Sequence, residues 1–373
     1  VPARRARRGP IRVGVIGAGS ASRAYLRTLD PLITAGLAEA GPVCDRRAKV
    51  RRELAARRPG TELVATDDAV LSSDVDLILI TTAPDTHAPL ARLALEAGKH
   101  VVVEKPFAPV PDEGRALVEF ARRQKLLLAA APFVQLSPAF AMLHGLVGDG
   151  VAGTVHSARA MYGNPGSTWA AWYHRSGVGP LGDLAIYNLK SLTALLGPAT
   201  EARCLESHSA IEREIVGSDE TDADVTHILL RHASGATSSV MASHAVWAYR
   251  RPAIELYGSE GSVNLLGDDW DPEGIEAYRE DWGHWRTYPS PDRTWSWTDG
   301  LRSAVDALRT GHWTAFDPAH DVHVLEVIEA CRRSAAEGGA RVEIETDFRE
   351  LSLPAATVSE RHIHDHTRPP GEQ

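Results

Sequence analysis

Ile11-Arg12-Val13-Gly14-Val15-Ile16-Gly17-Ala18-Gly19-Ser20-Ala21-Ser22 decides the fold of this chain. Its first six residues read as a buried strand, and a helix opens directly after the glycines. Gly17 permits a tight turn, and Gly19 lets a pyrophosphate approach the backbone at the helix N-terminus. Ser22 stands where a third small residue is needed for close helix–strand packing. A glycine pair alone says little; its strand–turn–helix setting makes Gly17, Ala18, Gly19, Ser20 and Ala21 a dinucleotide-binding loop.

Outward from this loop, short apolar strands alternate with amphipathic helices, which predicts a parallel sheet covered on both faces. Strands are expected at Val43-Cys44, Val75 to Ile80, His100 to Val103 and Leu126 to Ala131, with helices at Ala48 to Arg57, Pro84 to Ala97 and Asp112 to Arg123. These fill a six-stranded α/β Rossmann domain over residues 11–131. Asp45 ends the second strand, where a carboxylate takes the adenosine ribose hydroxyls. That favours NAD, while Arg46 and Arg47 directly after it leave NADP open through a 2′-phosphate clamp.

The pattern changes near Pro138. Helices are expected at Ala139 to Val147, Leu181 to Leu196, Asp299 to Arg309 and His320 to Ala335. Strands are expected at Thr154 to Tyr162, Glu201 to Glu206, Ala223 to Arg231, Ala236 to Ala245, Ala253 to Tyr257, Ser262 to Leu266 and Arg341 to Ile344. This predicts an α+β domain over residues 132–350 with an open, mainly antiparallel sheet. Residues 1–10 read as a basic tail and residues 351–373 as an arm or loose tail. The open sheet face needs cover, so a homodimer or homotetramer is expected.

Composition narrows the class. The 373 residues are 43% apolar and 24% charged, as in an ordinary globular protein long enough for two cores. A net charge of −9 argues against nucleic-acid binding through a broad basic surface. No apolar run is long enough to span a bilayer. Cys44, Cys204 and Cys331 are odd in number and far apart, which reads as buried thiols in a reducing, cytoplasmic compartment.

The basic side chains are almost all arginine; the lysines are Lys49, Lys99, Lys105, Lys125 and Lys190. Arginine holds its proton near neutrality, whereas a desolvated lysine releases one. Lys105 follows the apolar run Val101-Val102-Val103-Glu104 at a strand end and is the first candidate for proton chemistry. The stretch Thr81-Thr82-Ala83-Pro84-Asp85-Thr86-His87, with Ala97-Gly98-Lys99-His100 leading into Glu104-Lys105-Pro106, resembles the glucose–fructose oxidoreductase and inositol dehydrogenase (Gfo/Idh/MocA) family. The resemblance implies that Thr81, Thr82, Ala83, Pro84 and His87 line the cofactor, NAD or NADP. It further implies that Glu104 contacts the nicotinamide side, that Lys105 sits beside the hydride-transfer position, and that the Lys105–Pro106 bond is cis. Beside an oxidised nicotinamide cation, the lysine pKa is expected to fall from about 10.4 toward a useful value. Gln135 stands where family members carry a polar residue facing the nicotinamide.

Gly177 to Lys190 resembles the family's D-x-G-x-H-x-x-D helix, with departures. Asp183 is retained, Ala185 replaces the glycine, Tyr187 the histidine and Lys190 the second aspartate. Positions 183, 187 and 190 are spaced for one helical face. A tyrosine in the histidine position is similar to the glucose–fructose oxidoreductase and sugar 3-ketoreductase branches. Lys105 and Tyr187 are therefore the candidate proton-handling pair, with Asp183 binding a substrate hydroxyl or orienting Lys105. Trp169, Trp172, Tyr173 and His174 precede this helix and are candidates for stacking on a sugar; the later tryptophans read as sheet or interface packing. Asp268-Asp269-Trp270-Asp271 and His362, His364 and His366 supply no complete ligand set, so no metal is expected.

The expected activity is reversible NAD(P)-linked interconversion of a secondary alcohol and a ketone on a sugar, cyclitol or glycoside. Two rivals are a redox-neutral epimerase or eliminating glycosidase with tightly held nicotinamide, and a non-catalytic dinucleotide-sensing binding protein.

Overall fold

The computed structural model describes residues 9–166, 178–209, 223–250, 252–313, 315–349, 351 and 353. The basic tail, the Trp169 to His174 group and the histidines of the C-terminal segment lie outside these residues, apart from Gly9 and Pro10 of the tail.

The chain forms two compact units, Val1–Phe133 with Ser296–Leu325, and Val134–Trp295 with Glu326–Gln373. In the first, β1 (Ile11–Ile16), α1 (Ser20–Thr34), β2 (Ala38–Cys44), α2 (Ala48–Arg57), β3 (Leu63–Val64), α3 (Asp67–Leu71) and β4 (Leu77–Ile80) are followed by α4 (His87–Glu96), β5 (His100–Val103), α5 (Pro111–Gln124) and β6 (Leu128–Ala130). The strands are parallel in the order β3-β2-β1-β4-β5-β6. Chain direction across the sheet reverses between β1 and β4, the place where α/β sheets bind ligands at their carboxyl ends. Leu77 to Ile80 and Val101 to Val103 are wholly buried, so both strands read as uninterrupted apolar runs. Each such side chain stabilises the sheet by roughly 1.5–3 kcal/mol.

The second unit contains α6 (Pro138–Gly148), β7 (Val155–Gly163), α7 (Ile186–Leu196), β8 (Ala199–Ser207), β9 (Val225–His232), β10 (Thr237–Ser243), β11 (Ile254–Gly258), β12 (Gly261–Asp268), β13 (Asp271–Arg279) and β14 (Trp285–Pro289). Then come α8 (Gly300–Thr310), α9 (Pro318–Ala336) and β15 (Val342–Glu343). Nine strands form one sheet in the order β14-β13-β12-β11-β7-β10-β9-β8-β15, antiparallel except for β7 beside β10. Alternation along β9 buries Thr226, Ile228, Leu230 and His232 and turns Leu229 outward. Among the described residues no helix is long and apolar enough to cross a membrane. Cys44, Cys204 and Cys331 are buried free thiols.

Three differences from the sequence reading matter. α8 and its flanks pack with the first unit and not with the second, as a linear division at residue 132 had it. Trp297 meets Tyr25 edge-on at 5.4 Å, and Trp313 meets His100 at 5.4 Å, so two late tryptophans belong to the dinucleotide fold. Second, β13 and β14 were not foreseen, because Pro272, Gly274 and the exposed acids of β13 hide its alternation. Third, the expected helix from Leu181 begins as a π turn over Leu181–Ala185 before α7. Such turns are rare and gather at functional sites.

Candidate active site

In the first unit the candidate residues gather at the carboxyl edge of the parallel sheet. Gly17 has φ +98°, and a Cβ there would come within 2.8 Å of the Thr81 carbonyl. Thr81 locks this approach by donating its hydroxyl to Gly17 O at 2.7 Å. A Cβ on Gly19, in contrast, would meet no protein atom within 4 Å. Gly19 is also the N-cap of α1, which has no side-chain cap and no acidic residue in its first turn. Open space at an uncapped, acid-free helix N-terminus suits a pyrophosphate. Ser22 closes the loop by donating to Gly19 O at 2.8 Å. Gly17→Ala is expected to cost about 1–3 kcal/mol of stability through its backbone conformation. It should also abolish the gain in melting temperature that NAD confers; an unchanged shift would count against the loop assignment.

Asp45 follows β2 and is 6% exposed. Its Oδ2 accepts from Ala18 N at 3.1 Å and Arg47 Nη2 at 2.9 Å, and its Oδ1 from Arg47 N at 2.9 Å and Nε at 3.0 Å. Burial works to raise this carboxyl, but these donors outweigh it and hold it below the usual range. Arg46 turns away and pairs with Asp67. Of the two arginines, Arg47 is therefore the one bonded to the Asp45 carboxylate.

After β4, Thr82, Ala83 and Pro84 lead into α4, whose first residue His87 is 1% exposed. Its Nδ1 lies 2.9 Å from Pro106 O and its Nε2 3.1 Å from Thr82 O. Burial pushes the ring's pKa down. His87 thus ties the Thr82 loop to the lysine loop. Glu104, just past β5, is 7% exposed. Its Oε1 accepts from the Tyr25 hydroxyl at 2.7 Å and its Oε2 from Lys105 N at 3.1 Å. Lys105 itself is half-buried, and its bond to Pro106 is cis.

The second unit carries Gln135, Asp183 and Tyr187. Gln135 is buried in a short 3₁₀ turn, Val134–Leu136. Asp183, in the π turn, and Tyr187 and Lys190, in α7, are all buried. Tyr162 of β7 meets the Tyr187 ring edge-on at 5.5 Å. Burial, with Asp183 and Asp268 nearby, drives the Tyr162 phenol well above its ordinary pKa. His244, just past β10, places Nε2 3.2 Å from Asp183 Oδ2, so its N–H donates to the carboxylate. Sequence reading left this helix without a histidine, and position 187 is indeed tyrosine. An imidazole reaches Asp183 from another strand end, where helical spacing has no view of it. Asp268 accepts from the Tyr249 hydroxyl at 2.7 Å, and Asp269 from Asn188 and Ser191 of α7. Among the described residues no group of three or more histidine, cysteine or acidic side chains is placed to hold a metal ion.

A doubly flanked parallel sheet with an open glycine loop, a carboxylate after β2 and a lysine after β5 defines a Rossmann-type oxidoreductase. The sequence profile of the Gfo/Idh/MocA oxidoreductases, described as an NAD-binding Rossmann fold, matches residues 11–131, and that of the Gfo/Idh/MocA C-terminal domain matches residues 140–264. The chain belongs to the Gfo/Idh/MocA family: it is an NAD(P)-dependent oxidoreductase acting on CH–OH groups. It is 28% identical over 366 residues to the D-apiose dehydrogenase of Paraburkholderia graminis, covering 92% of each chain. It is 26% identical over 336 residues to the inositol 2-dehydrogenase of Rhizobium meliloti, covering 88% of this chain and 97% of that one. Among solved structures, a levoglucosan dehydrogenase complexed with NADH superposes with a TM-score of 0.80 at 21% identity, covering 90% of this chain and all of the other. The open space at Gly19 and the Asp45 carboxylate fit an NAD cofactor on physical grounds as well.

Proposed function

We propose that the chain reversibly oxidises a secondary alcohol of a sugar or cyclitol to the ketone. Bound nicotinamide supplies the hydride acceptor for the carbinol carbon, or the donor in reverse. Lys105 handles the hydroxyl proton at the substrate oxygen, and Tyr187 is the second group for that proton. Glu104 holds the backbone N–H of Lys105, and His87 holds the carbonyl of Pro106, so the lysine loop is fixed on both sides. Asp183 orients the substrate through a hydroxyl, steadied by His244.

The observation that carries this reading is the single sheet edge that presents both an open phosphate loop and Lys105. The sugar and cyclitol class is supported by relatives named for D-apiose and inositol. The test is incubation with NAD⁺ or NADP⁺ and a panel of pentoses, inositols and anhydrosugars. Reduced nicotinamide is expected to form with at least one of them. Absence of reduction across the panel, in both directions, would defeat the proposal.

We propose further that a second copy covers the outer face of the nine-stranded sheet. Leu205 and Leu229 stand there on the neighbouring strands β8 and β9, 59% and 58% exposed, as an apolar pair that a second copy would take out of water. Leu205→Asp with Leu229→Asp is expected to yield a monomer by light scattering, and an unchanged assembly would contradict this.

A further inference from the structure

The Glu104 carboxylate is held more firmly than a residue at a strand end requires. In a sheet of this order the half containing β1 and β2 takes the adenosine side, which leaves the carboxyl ends of β4 and β5 to the nicotinamide side. Glu104 is the first residue past β5, and its two oxygens accept from two different donors. One is Tyr25, less than two helical turns from the phosphate loop on α1 and wholly buried. Its ring is held in turn by Trp297, whose plane meets it at 79°. One helical turn on, Thr28 and Thr298 share a hydroxyl bond of 2.6 Å. Two neighbouring residues of the returning segment thus grip two positions on one face of α1.

A buried carboxylate bonded through both oxygens has little freedom to rotate, and in a desolvated setting its charge acts strongly on its surroundings. We propose that Tyr25 is a positioning residue, held by Trp297, that keeps the Glu104 carboxylate aimed as a fixed negative charge at the nicotinamide end and so favours the oxidised, cationic cofactor over the reduced, neutral one. The inference rests on the dinucleotide reading above and adds which redox form the site prefers. It makes no use of proton handling by Lys105.

The test is binding alone. NAD⁺ and NADH are titrated onto the full chain, following tryptophan fluorescence, for wild type, Tyr25→Phe, Glu104→Gln and the double variant. Tyr25→Phe keeps the ring against Trp297 and removes only the hydroxyl. Its ratio of NAD⁺ to NADH dissociation constants is expected to rise about fivefold or more, and that of Glu104→Gln at least as much. If Tyr25 acts through Glu104, the double variant will match Glu104→Gln, since effects that share one route do not add. A ratio within twofold of wild type in Tyr25→Phe, or two effects that multiply in the double variant, overturns the proposal. Should Tyr25→Phe fail to fold, Trp297→Leu loosens the same ring and leaves the hydroxyl. Its ratio is expected to move about two- to fivefold in the same direction, and an unmoved ratio there also overturns the proposal. A chain that binds neither form refutes the dinucleotide reading itself, whereas binding with an unmoved ratio refutes only the role of Tyr25.

Discussion

Lys105→Ala is expected to lower turnover of an accepted alcohol by about 10³-fold, within the range that a positioned acid–base group supplies. The loss should fall on kcat and kcat/KM together, because in the proposed mechanism the neutral amine takes the proton from the oxygen whose charge changes in the transition state. NAD⁺ should still bind, since the glycine loop and Asp45, at the other end of the proposed cofactor position, are built without the lysine side chain. Lys105→Arg separates charge from proton transfer. A guanidinium keeps the positive charge but cannot give up its proton near neutrality, so this variant should stay about 10²-fold down. Steady-state kinetics with cofactor titration checks both variants. Near-normal turnover in Lys105→Ala would remove the lysine from the chemistry.

Asp269→Asn is expected to stabilise the protein at alkaline pH and to flatten its stability profile. Asp269 is wholly buried in the turn between β12 and β13. Asn188 Nδ2 donates to its Oδ2 at 2.7 Å and Ser191 Oγ to its Oδ1 at 3.0 Å. Burial pushes this carboxyl up to about 7, against the pull of those two donors, with Asp268 adding to the rise. The unfolded chain titrates it near 3.9. Between those values the native state binds the extra proton. The contribution is therefore full at low pH and is lost as pH rises through about 7. The whole loss is on the order of 4 kcal/mol. Asparagine removes the charge and keeps the shape. It also offers a donor to Asn188 Oδ1, which is buried with no hydrogen-bond partner among the described residues. His87 and His232, whose pKa values burial depresses, lose stability in the opposite direction as pH falls below about 6.5. They are common to both proteins and cancel in the difference. Urea unfolding at pH 5 and pH 8 should show the variant gaining on wild type by about 1–4 kcal/mol between the two. A gap independent of pH would show that Asp269 does not titrate there.

Local patterns made the dinucleotide fold readable. The strands Ile11–Ile16 and His100–Val103 and the helix Ala48–Arg57 stand where apolar periodicity set them, since each is decided by its own residues. The glycine turn was readable for the same reason: Gly17 carries the turn and Gly19 the open space beside it. What escaped reading is long-range. Tyr25 looks like one more core residue of α1, and nothing near it in sequence signals a carboxylate 79 positions on or a tryptophan beyond the second domain. His244 reaches Asp183 across 61 positions, from a strand end whose sequence has no ligand-like spacing. The π turn at Leu181–Ala185 shifts Asp183 out of the simple helical register on which the one-face argument relied.

The central claim is direct hydride transfer to nicotinamide from a secondary carbinol carbon, with Lys105 serving the oxygen. Its most direct test is a sugar or cyclitol substrate deuterated at that carbon, incubated with the chain and NAD⁺. The expected result is reduced cofactor carrying one deuterium at C4 of the nicotinamide, matched by an equal amount of ketone, with the transfer nearly abolished in Lys105→Ala. Deuterium released to solvent, or an isomerised or cleaved product with no net reduced cofactor, would contradict the account.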